Sequence, residues 1–312
     1  MSYAQFNLVE ASDYNGLTGG PSSTTANTLN ATWAIGSSNA GYGQTAEANV
    51  AIGDSVTAAK WANLVNKTAS AASHQGSSIS SVAAPVVGGS IAFISAVPTN
   101  LQTIYTNRLN AAGQGSTTAN TATRGTAWSA ALTFTHTVTF ANSDAARHFF
   151  NAGGQLKVTA SSPSGPSGID PLWNALASNI GSVVLSAPTS GTITIAGTSF
   201  SGVTRTGGSG SSPNVSTNSG FYALTTANTT LFTQTAATGD AEYLSSFIRV
   251  IGAVNSNSAP SVVTLYTIWD EVPDGFAVTA GSATTVTAFP PSTTYIANSW
   301  GSITIAGSVS GS

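Results

Sequence analysis

The sequence predicts a mainly β protein, with antiparallel sandwich-like sheets, a few short helices, and a small mixed α+β N-terminal region. Three observations predict it. From Leu132 to Phe140 apolar residues alternate with threonines, the period of a strand with one buried face. Beyond Gly181, short apolar runs are separated by Gly, Asn, Ser and Pro clusters, the punctuation of successive strands. Helical spacing is confined to a handful of segments.

Three parts are expected: an N-terminal docking or assembly region with helices (1–114), a linker (115–125), and an antiparallel β domain with two short helices (126–312). Near the start, Val9-Glu-Ala-Ser-Asp-Tyr-Asn-Gly-Leu17 and Val56-Thr-Ala-Ala-Lys-Trp-Ala-Asn-Leu64 share Val, Ala, an aromatic and Leu at identical spacing. This is either a short internal duplication or a coincidence of a chain rich in Ala and Val. The second copy opens a helix. Asp54 or Ser55 can cap it, Trp61, Leu64, Val65 and Thr68 share one face, and it ends near His74-Gln75-Gly76. A second helix begins at Pro98, carries Leu101, Ile104, Tyr105 and Leu109, and stops before Gly113. Gly76 to Gly89, rich in Ser, Ala and Gly, reads as a loop, and the stretch from Gly113 to Gly125 has no periodicity, as a linker would.

The β domain opens on the 132–140 strand. A short helix follows, capped by Ser143 or Asp144, buried through Ala146, Phe149 and Phe150, and left through Gly153-Gly154. Leu156 to Ala160 is the next strand. Asp170-Pro171 then opens a helix with Leu172, Trp173, Leu176 and Ile180, closed at Gly181. Further strands are expected at Val183–Ala187, Thr192–Ala196, Tyr222–Thr225, Leu244–Val254, Val262–Val272, Ala277–Thr279, Thr284–Ala288 and Ser302–Ala306. The fourth and fifth of these form a long hairpin through Asn255 to Pro260. Ile193-Thr-Ile-Ala-Gly197 recurs as Ile303-Thr-Ile-Ala-Gly307, a generic pattern that composition can produce twice.

Composition narrows the function. Only 8 Lys+Arg and 11 Asp+Glu occur in 312 residues, 6% charged, against about a quarter in an ordinary soluble domain. At 41% hydrophobic and net −3, the chain is too apolar for disorder. A surface of Ser, Thr, Asn, Gly and Ala lacks the mixed charge that keeps lone domains apart, so contact with copies or partners is expected. The six Trp, eight Tyr and twelve Phe provide a core. There is no Cys, so disulfides and thiolate chemistry are excluded. Met1-Ser-Tyr-Ala-Gln5 lacks a secretory pattern, no run of 18 apolar residues suggests membrane insertion, and the scattered basic residues leave no nucleic-acid footprint.

No catalytic, cofactor-binding or metal site is assigned. His74, His136 and His148 have no metal spacing. Asp144 and His148 stand four apart, a surface contact in the ordinary case, and His136 shares the row of Leu132, Phe134 and Val138 as a neutral core histidine. Asp270, Glu271 and Asp274 could ligate calcium from a turn, but lack the alternating donor spacing, and Asp274-Gly275 is ordinary turn chemistry. No nucleophile elbow or phosphate loop appears, and Gly207 to Ser212 is a flexible loop by composition. Trp128, Trp173, Trp269 and Trp300 would stack on sugars if exposed, against the commoner reading that they are core. N-x-[ST] matches such as Asn30-Ala-Thr32 follow from composition alone.

The stretch Val138-Thr-Phe140, then Ala145-Ala-Arg147-His-Phe149-Phe150-Asn-Ala-Gly153-Gly154-Gln-Leu156-Lys-Val158, resembles a segment of virion structural proteins of tailed bacteriophages, tail and fibre-like proteins above all. Phe149 to Gly154 carries most of the likeness. Val56-Thr-Ala with Trp61 and Leu64, and Gly41-Tyr-Gly-Gln44, are similar too; the islands cover about half the chain. The resemblance implies a virion location, assembly in the host cytoplasm, other virion proteins as partners, and neither active site nor ligand.

The leading expectation is therefore a phage structural component, tail-associated as a fibre, neck or baseplate part, working through protein–protein assembly as a symmetric homo-oligomer. A capsid decoration protein is the alternative within that class. A receptor- or glycan-binding adhesin contacting a host surface glycan is the competing class, and a depolymerase, lacking repetitive β-helix turns, comes last.

Overall fold

The computed structural model describes residues 10–19, 27–51, 53–86, 96–162, 165, 168–211, 213–237, 239 and 241–312. Val9 of the first repeat copy and residues 87–89 of the expected loop lie outside them. Among the described residues there are six α-helices: α1 (Ala11–Thr18), α2 (Leu29–Trp33), α3 (Ala58–Gln75), α4 (Ala96–Thr106), α5 (Ser143–Asn151) and α6 (Asp170–Ile180). The strands are β1 (Thr118–Thr123), β2 (Ala131–Thr139), β3 (Gln155–Ser161), β4 (Ser182–Leu185), β5 (Ile193–Ile195), β6 (Thr198–Phe200) and β7 (Val203–Thr206), followed by β8 (Asn214–Val215), β9 (Thr229–Thr235), β10 (Phe247–Val254), β11 (Val262–Asp270), β12 (Ala283–Phe289) and β13 (Thr304–Gly311).

The fold is mainly β and every strand pairing is antiparallel. A five-stranded sheet runs β1-β12-β3-β4-β7, a six-stranded sheet runs β13-β2-β11-β10-β9-β8, and β5-β6 forms a separate ribbon. The Thr/apolar alternation of β2 produces its geometry directly: Leu132, Phe134, His136 and Val138 are fully buried while the threonines between them are not. Opposite them in register stand Trp269, Thr267, Leu265 and Val263 of β11. From the other sheet, Leu156 and Val158 of β3 align with Ala288 and Val286 of β12 to supply buried side chains. At one side the sheets meet through β1 and β13; further along, α6 packs on β3 of one sheet and on β9 and β10 of the other. Trp173 of α6 completes the core against Trp128 and Trp269.

Helices α1 to α4 form a layer of their own. The equivalent alanines of the sequence repeat, Ala11 and Ala58, both begin helices, and the repeat's aromatics meet: the Tyr14 and Trp61 rings lie 5.8 Å apart, edge to face. One buried cluster runs from Tyr14 in this layer to Trp300 in the β region.

Several boundaries differ from expectation, each for a local reason. The cap of α3 is Thr57, whose hydroxyl accepts from Lys60 N at 3.3 Å, and not Asp54 or Ser55. Helix α4 starts before Pro98, at Ala96, and ends at Thr106, leaving Leu109 beyond it. Asn142 caps α5, with Oδ1 accepting from Ala145 N at 2.9 Å, in place of Ser143 or Asp144. Asp170 is the first residue of α6, its carboxylate buried and accepting from Thr279 N and Oγ1.

The linker at 115–125 is the largest correction: residues 118–123 are β1, paired along their length with β12. An edge strand needs no buried alternation, and only Ala122 in it is buried, so periodicity could not reveal it. Tyr222 to Thr225 holds part of a 3-10 turn, Phe221–Ala223, with no strand; Ala277 to Thr279 contributes a single bridge, Val278 to Trp128. β10 starts at Phe247, after a second 3-10 turn at Ala241–Tyr243. The hairpin from β10 to β11 formed as expected, with Asn255 Oδ1 accepting from Ser261 N and Val262 N inside its loop. Strands β6 to β9 were not foreseen. The Ile-Thr-Ile-Ala-Gly recurrence has no structural meaning, since Gly197 turns a hairpin and Gly307 sits within β13.

Candidate functional site

The residues singled out for chemistry are dispersed, and most face inward. Trp128, Trp173, Trp269 and Trp300 are at most 3% exposed, so none offers a ring face to a sugar. His136 is buried among the β2 side chains, where burial pushes its pKa below the ordinary imidazole value and the Asn120 backbone opposes this in part. His74 Nε2 lies 3.0 Å from Ala152 O, its ring stands edge-on to Tyr42, and burial brings its pKa down to about 4. The Asp144–His148 pair does not form. Asp144 instead takes Arg147 at 3.0 Å, while His148 turns inward against Gly43, its pKa lowered by burial and then by Arg147.

The acidic turn does not assemble a cation site. No three His, Cys, Asp or Glu side chains converge as a metal-holding group among the described residues. Glu271 points inward and is fully buried, with Oε1 accepting from Phe276 N at 2.9 Å and Oε2 without a partner. Burial raises its pKa to about 7, with the Phe276 N–H opposing and Asp274 adding to the rise. Asp270 is also raised, by burial first and Asp274 second.

What the structure does bring together are the separate sequence strings around residues 41–44 and 149–154. Phe149 and Phe150 of α5 are fully buried, and Phe150 stacks on Phe221 at 4.1 Å. Asn151, next in the string, donates to Ser38 O and Gly41 O, both at 3.2 Å, and accepts from the Tyr222 hydroxyl. Gly153 has φ +89°, and a side chain there would lie 2.6 Å from Ala111 Cβ. From the other string, Tyr42 donates to Arg108 O and accepts from Gln75 Nε2 of α3, the helix that holds Trp61 and Leu64. Gln44 bonds Ala297 reciprocally, O to N and N to O. Arg147 completes the junction, donating to Ala40 O at 2.9 Å and Ile35 O at 2.8 Å.

Loop 35–44 is thus a clasp holding the helical layer, α5 and the segment after β12 together. Sequence reasoning identified its strings but not that they meet, because the partners lie more than a hundred residues apart. Beside the clasp lies a cleft of about 550 Å³, bordered by Ile35, Ser38, Asp144, Arg147, Tyr222 and Asn257. Its Arg147 is already committed to the clasp carbonyls and to Asp144, so the cleft holds no unspent cation.

The same economy holds elsewhere. Arg108 donates to Asn39 and Tyr105 O, Arg205 to Asn179 O and Gly210 O, and Lys67 pairs with Glu47 at 2.7 Å. Lys157 and Arg249 lie over Phe289 and Phe247. Much of the scarce charge therefore serves the fold. No helix among the described residues is long and apolar enough to cross a membrane. No protein-family model, curated protein or solved structure matches the chain.

Proposed function

We propose that this chain is a structural component of a phage virion, tail-associated as a fibre, neck or baseplate part, acting through protein–protein assembly and not through catalysis. The observation that carries the reading is the charge distribution: of 19 formal charges, Arg108, Arg147, Arg205, Lys67 and several carboxylates are spent on carbonyls, amides and ion pairs within the chain. The remaining surface is largely Ser, Thr, Asn, Gly and Ala, which suits close packing against protein and not steering toward a charged ligand. The convergence of the resembling strings on one clasp supports a role for them in building the subunit. An adhesin stacking glycans on its tryptophans is disfavoured, because those rings are interior. Capsid decoration differs only in where such a subunit sits.

Electron microscopy with labelled antibody on particles purified from the phage encoding this chain tests the proposal. Label on the tail is the expected result. Particles free of the chain, with the protein found only in the host lysate, would overturn it.

A further inference from the structure

The two sides of the sandwich end differently. At one side the terminal strands are β7 and β8, of 4 and 2 residues, and β7 carries Arg205. Short length and a charge are ordinary protections against edge-to-edge pairing. At the other side the terminal strands are β1 and β13, of 6 and 8 residues, packed against each other, with no charge and no proline in either. β13 keeps one register against β2 through all its residues, so no bulge turns its edge away. Among the described residues, no backbone hydrogen bond reaches its outer side. A long, regular, uncharged edge is a template for another strand.

The sequence of β13 selects the occupant. About Gly307 the strand is a palindrome in chemical class: Ala306 and Ser308 are small, Ile305 and Val309 are β-branched and half-buried, Thr304 and Ser310 carry hydroxyls. Two copies related by a two-fold axis midway between their Gly307 residues, normal to the sheet, pair antiparallel with each residue opposite its own class. Ile305 meets Val309 on the interior face, and Thr304 meets Ser310 outside; both are favourable cross-strand pairs. A side chain at position 307 would point at Asn120 of β1, which fixes the odd-numbered residues to the interior face. We infer that β13 is a self-pairing edge, joining two copies of this chain through an antiparallel β13–β13 ladder centred on Gly307 into one continuous sheet. This rests on the assembly reading above and specifies its contact.

The test uses the full chain, whose lack of cysteine makes introduced thiols unambiguous. In the inferred register residue 306 faces residue 308 of the second copy within the reach of a disulfide, whereas 306 and 306, or 308 and 308, sit diagonally at about 8 Å, beyond it. Mixed Ala306→Cys and Ser308→Cys chains should form an intermolecular disulfide under mild oxidation, and neither alone should. Absence of that disulfide from the mixture overturns the register. Independently, an Ala306→Lys/Ser308→Lys chain sets lysines directly opposite each other, on exposed positions that spare the fold as judged by circular dichroism. Its mass by sedimentation should be half that of the wild type. An unchanged oligomer would overturn β13 as the contact while leaving self-assembly standing; a wild type monomeric at all concentrations would overturn both.

Discussion

Replacing Trp173 by alanine is expected to destabilise the protein by about 3–5 kcal/mol, the loss of a fully buried tryptophan. The indole is fully buried on α6, stacks on Trp269 with centroids 5.6 Å apart and planes 19° apart, and lies 4.9 Å from Trp128. It lies on the helix that packs against both sheets, so alanine would leave a cavity between them. Urea denaturation measures the effect, with Tyr295→Ala as control: that ring is 48% exposed, and its removal should change stability by less than about 0.5 kcal/mol. A Trp173→Ala loss below about 1 kcal/mol would mean that α6 is not a core element.

The second large effect depends on pH and centres on Glu271. Its pKa is 4.5 in the reference state and about 7 when folded, because the carboxyl is buried with one oxygen unpartnered. Between those values the native state holds a proton that the unfolded chain has lost, so stability falls as pH rises through the window, and the penalty is complete above pH 7. The full displacement is worth roughly 3 kcal/mol; water around the exposed turn that follows reduces this to about 1–2 kcal/mol. Glu271→Gln keeps an oxygen for Phe276 N and removes the buried charge. The variant should therefore melt about 2–4 °C above wild type at alkaline pH and show no such gain at acid pH. An equal difference at both pH values would contradict the assignment. His74 acts in the opposite sense: held neutral with a pKa of about 4, it adds stability as pH rises toward the ordinary imidazole value. The two windows overlap, and His136 and His148 act in the same sense as His74, so the variant comparison is what isolates Glu271.

How much of this was legible in the sequence depended on whether a strand buries a face. β2 was legible because each second residue of Leu132 to Phe140 is buried, and the β10–β11 hairpin because a turn-forming loop separates two long apolar runs. β1 was not, because Thr118 to Thr123 lies at an edge where five of six residues remain at least partly accessible, and hydrophobic periodicity has nothing to record. β6 and β8 are too short to display a period. Helix caps failed by one to three residues for a related reason: Thr57 and Asn142 stand beside Ser and Asp residues that cap at least as well, and only the backbone geometry decides.

The candidate site was less legible still. That Tyr42, Asn151 and Ala297 meet through loop 35–44 depends on contacts between segments far apart in the chain. The fate of the charges was equally hidden, since an arginine reads the same in sequence whether it faces water or donates to Ala40 O. Scarcity of charge was visible from the start; that Arg108, Arg147 and Arg205 are committed to backbone carbonyls emerged only from the fold.

The central claim, assembly through uncharged surface, is tested most directly by sedimentation velocity of the purified chain across sodium chloride concentrations. Contacts made of backbone ladders, hydroxyls and apolar side chains are little affected by screening, so one oligomeric species should persist from about 0.05 M to about 1 M salt. Dissociation as salt rises, or a monomer throughout, would contradict the account.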